Sequence, residues 1–115
     1  MAKVYNNDRG FLVIQMNGHE ASNIGFGVPI TGLLNQICCG TCNDSIEHKN
    51  IYYVAGINEV LCEECVDDFV SSMNHYLDND SLRYEETHFN IIAQRLGMEE
   101  RARRTHDGKI EIFKP

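Results

Sequence analysis

The chain reads as an α+β fold, and three observations carry that reading. Apolar residues recur at the helical interval in two stretches: Val66, Phe69, Val70, Met73 and Leu77, then Leu82, Phe89, Ile92 and Leu96. Other stretches are short, rich in β-branched and aromatic residues and bounded by turn residues, among them 11–16, 51–54 and 110–113. Between these stand four cysteines in two C-x-x-C pairs, Cys39 with Cys42 and Cys62 with Cys65. With 115 residues, 43% of them hydrophobic and 23% charged, the composition is that of one globular domain with a modest core, which gains from a staple. Its parts are the N-terminal strands and loop at 1–37, the cysteine-bearing module at 38–78, and a helix with a C-terminal strand at 79–115.

Taken in order, Lys3, Val4 and Tyr5 form a strand candidate, and Asn6-Asn7-Asp8-Arg9-Gly10 is turn chemistry. Residues 11–16 make a second strand, and Asn17-Gly18 marks another turn. Residues 19–27, which include Gly25 and Gly27, read as loop. Residues 28–37 stay open. Pro29 would start a short helix with Ile30, Leu33, Leu34 and Ile37 on one face, and Gly32 counts against it.

Cys39-Gly40-Thr41-Cys42 is expected to be a tight turn. Residues 51–54 and 59–61 flank Ala55-Gly56-Ile57-Asn58, which reads as a β-hairpin turning at its glycine. A helix is expected from Cys65, with Glu63, Glu64, Asp67 and Asp68 in its first turns, where the helix dipole favours acids. Asn79-Asp80-Ser81 breaks it, and Asp80 or Ser81 caps a second helix over 82–97. Residues 98–104 would carry that helix past Gly97 at a local cost of roughly 1 kcal/mol. Asp107-Gly108 then turns the chain into a closing strand at 110–113.

Two C-x-x-C pairs about 20 residues apart have the spacing of a structural zinc site. Each pair places two sulfurs on one edge of the tetrahedron that zinc prefers. Gly40 is expected to let the backbone fold back so that amides point at sulfur, and Cys65 gains from the start of a helix. Four thiolates leave no coordination position for a substrate, so one structural Zn2+ and no catalysis are expected. Cys38 is the spare. It would replace Cys39 in a C-x3-C pair but reads better as a plain buried thiol, and His48 reads as a solvated loop histidine rather than a ligand.

Knuckle, hairpin and then a helix carrying the second pair is the order of a treble clef. Cys39-x2-Cys42, Ile46, Tyr52-Tyr53-Val54 and Leu61-Cys62-Glu63-Glu64-Cys65-Val66 with Phe69 resemble a LIM-type treble-clef zinc module over about residues 38–77. The resemblance implies that Cys39, Cys42, Cys62 and Cys65 are the ligands and that the module contacts other proteins. A full LIM domain has a second zinc module, for which this chain lacks the cysteines.

Charge narrows the partner. The net charge is −7, and residues 39–80 set Lys49 alone against nine acids, a local −8 to which a Zn(Cys)4 site adds. Such a surface repels phosphate, so direct nucleic-acid binding by this half is disfavoured, and a basic protein surface suits it better. Glu59, Glu63, Glu64, Asp67 and Asp68 are the candidate contacts. Acids of this kind also serve solubility alone. A small acidic module of this type suits an inhibitor of a nucleic-acid-processing complex, in the manner of phage anti-CRISPR proteins.

Two other functions compete. A nucleic-acid-binding or transcriptional regulator would use the basic 95–109 segment, with Arg101, Arg103 and Arg104 on the recognition helix of a helix-turn-helix. A C-x-x-C redox enzyme would leave the second pair unexplained and lacks the βαβ context. Neither a nucleophile elbow nor a phosphate-cradling glycine loop is present. The apolar run at 11–16 is far too short for a signal core or a membrane span, and five cysteines is an odd number for paired disulfides. The chain is therefore expected in the reducing cytoplasm, as a monomer or as a homodimer paired through the 82–96 stripe.

Overall fold

The computed structural model describes residues 2–8, 10–24, 28–29, 35–46, 48–67 and 84–115. The architecture is α+β. Its centre is a four-stranded antiparallel sheet built from β1 (Lys3–Asn6), β2 (Leu12–Met16), β5 (Ile51–Val54) and β6 (Glu59–Leu61), in the order β1-β2-β5-β6. Ile14 faces Tyr53 and Val13 faces Val54, so the N-terminal strands and the hairpin of the cysteine module share one sheet. The two inner strands are apolar on both faces. Leu12, Val13, Ile14 and Met16 are buried, as is every residue of β5, which is why these runs do not alternate. Edge strand β1 keeps Lys3 and Asn6 in water.

The first turn is fixed by a buried side chain. Asn7 Oδ1 accepts from Phe11 N–H at 2.9 Å, and its Nδ2 donates to the Val66 carbonyl at 2.7 Å. Gly10 takes φ +83°, where a side chain would be strained. One asparagine thus closes the β1–β2 hairpin and clamps it to the segment just beyond Cys65.

Residues 18–23, expected as turn and loop, are a short helix, α1 (Gly18–Asn23). Asn17 is its cap: Asn17 Oδ1 accepts from Glu20 N–H at 2.8 Å, and Glu20 Oε1 accepts from Asn17 N–H at 3.1 Å. Val28–Pro29 (β3) and Asn35–Gln36 (β4) pair antiparallel, so no helix starts at Pro29; Ile30 to Leu34 lie outside the described residues.

The hairpin turn at 55–58 is present, but its left-handed residue is Asn58 (φ +54°), not Gly56. Tyr53 Oη donates to Asn58 Oδ1 at 2.5 Å and pins that corner. Gly56 is needed for room: a Cβ there would lie 2.8 Å from Phe11 Cδ1 and 3.2 Å from Glu85 Oε2.

The later helix, α2 (Glu85–Arg95), buries Phe89, Ile92 and Ala93 against the sheet. It does not continue past Gly97. Gly97 takes φ +73°, its N–H reaches the Gln94 carbonyl at 3.1 Å, and Met98 N–H reaches the Ala93 carbonyl at 3.0 Å. These two bonds are the Schellman stop. Residues 101–104 are accordingly a strand, β7 (Arg101–Arg104), paired antiparallel with β8 (Ile110–Phe113). A recognition helix carrying Arg101, Arg103 and Arg104 is ruled out. The helix expected from Cys65 has not begun by Asp67: Cys65 lies in a turn and Val66 and Asp67 in a bend. Asp68, Phe69, Val70, Met73 and Leu77 of that helix, and Leu82 of the second stripe, lie outside the described residues. Among the described residues no helix is long and apolar enough to cross a membrane.

Candidate metal centre

Residues 37–46 fold back on themselves. Ile46 N–H donates to the Ile37 carbonyl at 2.8 Å, Cys38 bridges Ser45, and Cys39 N–H donates to the Asp44 carbonyl at 2.9 Å. At the tip, Asn43 N–H returns to the Cys39 carbonyl at 2.9 Å with Asn43 at φ +68°. The reversal expected of Gly40 is therefore made by Asn43, a residue type that tolerates the left-handed region. Gly40 is constrained by space instead, since a Cβ would lie 2.8 Å from Glu59 Oε2. Its N–H donates to the Val60 carbonyl at 2.9 Å and seats the knuckle on the edge of β6.

The second pair follows β6 directly. Cys62 is the first residue past the strand, and the N–H groups of Cys65 and Val66 both reach the Cys62 carbonyl at 3.1 Å, so the chain curls back toward the knuckle. The Sγ atoms of Cys39, Cys42, Cys62 and Cys65 all lie within 4.8 Å of one another. Cys42 Sγ and Cys62 Sγ are 3.7 Å apart. A tetrahedron with metal–sulfur bonds of about 2.3 Å has edges of about 3.8 Å. The four sulfurs thus fit one metal ion of zinc's coordination habit. All five cysteines are free thiols; Cys38 is half-buried outside the cluster, and His48 is exposed away from it.

Electrostatics set Cys39 apart from Cys42 and Cys65. Burial works against the Cys39 thiolate, but the backbone amides of Cys42, Cys62 and Thr41 outweigh it and hold the thiol down to about 7. Thr41 N–H donates to Cys39 Sγ at 3.4 Å. At Cys42 the Asp44 backbone lowers the value, yet burial and hydrogen bonds to Cys39 and Cys62 push it up to about 11. Burial and then the neighbouring sulfurs push Cys65 higher still. Four sulfurs this close do not ionise together without a cation between them, and a divalent metal supplies one.

The acidic candidates divide. Glu63, Glu64 and Asp67 are exposed on the turn that carries the second pair, and Asp67 Oδ1 accepts from Asp8 N–H at 3.1 Å. Glu59 is turned inward against Gly40. Its Oε2 is buried without a hydrogen-bond partner among the described residues, and burial raises its carboxyl above the ordinary range. The arginines have local work. Arg101 Nη1 donates to the Met98 and Glu100 carbonyls, both at 2.7 Å. Arg103 pairs with Glu111 and lies 4.8 Å over the Phe113 ring, and Arg104 Nη1 donates to the Gly108 carbonyl at 3.0 Å. Sequence reasoning missed Asn7 and Asn43, which hold the two cysteine turns. Asn43 directly after Cys42 was the available signal for a left-handed turn residue.

The fold and site together define an α+β chain with four cysteines placed to bind one metal ion. Compared with family models, curated proteins and solved structures, the chain gives no match.

Proposed function

We propose that this protein is a zinc-stabilised protein-binding module. Cys39, Cys42, Cys62 and Cys65 hold one structural Zn2+ as a LIM-like treble clef holds its ion, and the ion has no catalytic task. The observation that carries this reading is the gathering of the site: four sulfurs lie within 4.8 Å of one another, the number that fills zinc's tetrahedral coordination. The metal joins the knuckle to the strand end and supplies folding energy to a small domain. The exposed acids Glu63, Glu64 and Asp67 stand on the turn beside it, and a thiolate-rich centre adds to their field. That face suits a basic protein surface, such as the nucleic-acid groove of a processing complex that the module would inhibit from within the cytoplasm.

The test has two arms. Native mass spectrometry of the purified chain should show one zinc with all five cysteines reduced. A labelled polylysine peptide should bind with an affinity that falls as salt rises, and the triple change Glu63→Lys, Glu64→Lys, Asp67→Lys should abolish binding. Tight, salt-sensitive binding of a DNA or RNA 20-mer that is lost on reversing Arg103 and Arg104 would replace this reading with a nucleic-acid one.

A further inference from the structure

The four-stranded sheet and the β7–β8 hairpin have four outer edges between them, and the molecule treats them unequally. The outer edge of β6 is taken by the knuckle, through Gly40 N–H to the Val60 carbonyl. The outer edge of β7 is taken by α2. Asn90 Nδ2 donates to the Ala102 carbonyl at 3.0 Å, Ala102 N–H donates to Asn90 Oδ1 at 2.8 Å, and Arg104 N–H donates to Glu86 Oε2. The two edges left, those of β1 and β8, bear no such cover among the described residues, and they flank the same cleft. That cleft is about 640 Å³ in volume; β1 lines it along its whole length, with Ile112 and Lys114 at the β8 end.

We infer that this cleft binds an acidic, extended peptide segment of another protein, which adds a strand to the free edge of β1. Edge strands left open are templates for pairing, and a groove beside one supplies side-chain pockets. Apolar side chains are present in the lining: Leu12 is buried, Val4 is half-buried and Ile112 is 37% exposed. The charge is specific. Lys3 and Lys114 are two of the four lysines in a chain of net charge −7, and both line this cleft against one acid, Glu100. An acidic segment meets opposite charge there, whereas the 39–80 stretch sets Lys49 alone against nine acids. A second copy of this chain would bring a further −7 to the approach, which disfavours it as occupant. Four strand residues span about 13 Å, so the site reads four or five residues of the segment. Tyr5 in this lining also feels Asp8, Glu63 and Asp67, so the opposite charge is that of Lys3 and Lys114 alone; the inference does not depend on the metal.

The test uses the full chain, labelled with 15N, and a seven-residue probe with a Val-Thr-Val centre and two acidic residues at each end. The probe should shift the amide resonances of 3–6 and 110–113 in a saturable way. The same probe with lysines at its ends should bind at least about tenfold more weakly, and so should the acidic probe against Lys3→Glu, Lys114→Glu, two exposed positions whose exchange leaves the core intact. A probe N-methylated on alternate amides keeps every side chain and should lose binding, because it cannot pair with β1. Absence of shifts at 3–6, equal binding of the acidic and basic probes, or undiminished binding of the N-methylated probe would each overturn the proposal. So would concentration-dependent dimerisation that shifts the same amides without any probe, since a second copy would then be the occupant.

Discussion

Asn90 holds Ala102 from both sides. Its side-chain amide donates to the Ala102 carbonyl and accepts from the Ala102 N–H, at 3.0 and 2.8 Å. A side chain on α2 therefore replaces the strand that β7 lacks on its outer edge. Asn90→Ala leaves both backbone groups without these partners in a half-buried setting, at a cost of about 1–3 kcal/mol, offset by a few tenths from alanine's better helix propensity. Urea denaturation should show a lower midpoint. Asn90→Asp keeps the acceptor for Ala102 N–H but sets a carboxylate oxygen against the Ala102 carbonyl, so it should not restore the parental midpoint. A midpoint for Asn90→Ala equal to that of the parent chain would show that β7 does not need this clamp.

Glu85 makes the second link from α2 to the sheet, and its protonation follows from its surroundings. The carboxylate accepts from Leu12 N–H at 2.9 Å and sits over Gly56. Burial raises its pKa above 4.5 against the lowering effect of the Leu12 amide and of Arg104 and His88. The folded chain therefore holds this proton more tightly than the unfolded one. The group's contribution is most favourable below pH 4.5 and is lost as pH rises through the raised folded value. Glu85→Gln keeps an acceptor for Leu12 N–H and has no charge to desolvate. Its stability at pH 7 should equal or exceed that of the parent, with a flatter profile between pH 4.5 and neutrality. Glu59, raised by burial too, contributes a residual slope of the same sign.

The cysteine cluster was legible because C-x-x-C spacing is a local geometric statement, and β2 and β5 were legible because β-branched and aromatic residues crowd them. The misplaced elements failed for identifiable reasons. Asn17-Gly18 has turn composition, and only Glu20 three residues after Asn17 signals a capped helix. Arg101-Ala-Arg-Arg has no strand propensity at all; β7 exists because Gly97 stops the helix and because β8 and Asn90 supply hydrogen-bond partners on either side. Gly40 and Gly56 were read as flexible turn residues, whereas they are places where Glu59, Phe11 and Glu85 come too close for a side chain.

The two left-handed asparagines yield a paired prediction. Asn43 (φ +68°) reverses the chain beyond Cys42, and Asn58 (φ +54°) closes the β5–β6 turn. Alanine at either site costs about 1–2 kcal/mol of backbone strain. Asn58→Ala and Asn58→Gly both lose the Oδ1 acceptor for Tyr53 Oη, but only alanine is strained at this φ, so Asn58→Ala should lower thermal stability more than Asn58→Gly. Asn43→Ala should weaken retention of the metal against a chelator, while Asn43→Gly, which adopts the same φ freely, should retain it. Equal retention by both variants would show that the knuckle geometry does not depend on this residue.

Cys38 and Cys39 are chain neighbours, and the geometry separates them: Cys39 Sγ lies in the four-sulfur cluster, and Cys38 does not. If one zinc sits at Cys39, Cys42, Cys62 and Cys65, serine at any of these four should drop the metal content below one per chain. Chelation of the parent should then lower the urea midpoint, because binding energy of the ion is folding energy. Cys38→Ser should keep one zinc and a parental midpoint. Affinity should also fall with falling pH, since every coordinating thiol must first lose its proton. Elemental analysis of the five serine variants decides the point. Loss of metal in Cys38→Ser with retention in Cys39→Ser would move the first ligand one residue back and replace the C-x2-C knuckle with a C-x3-C one.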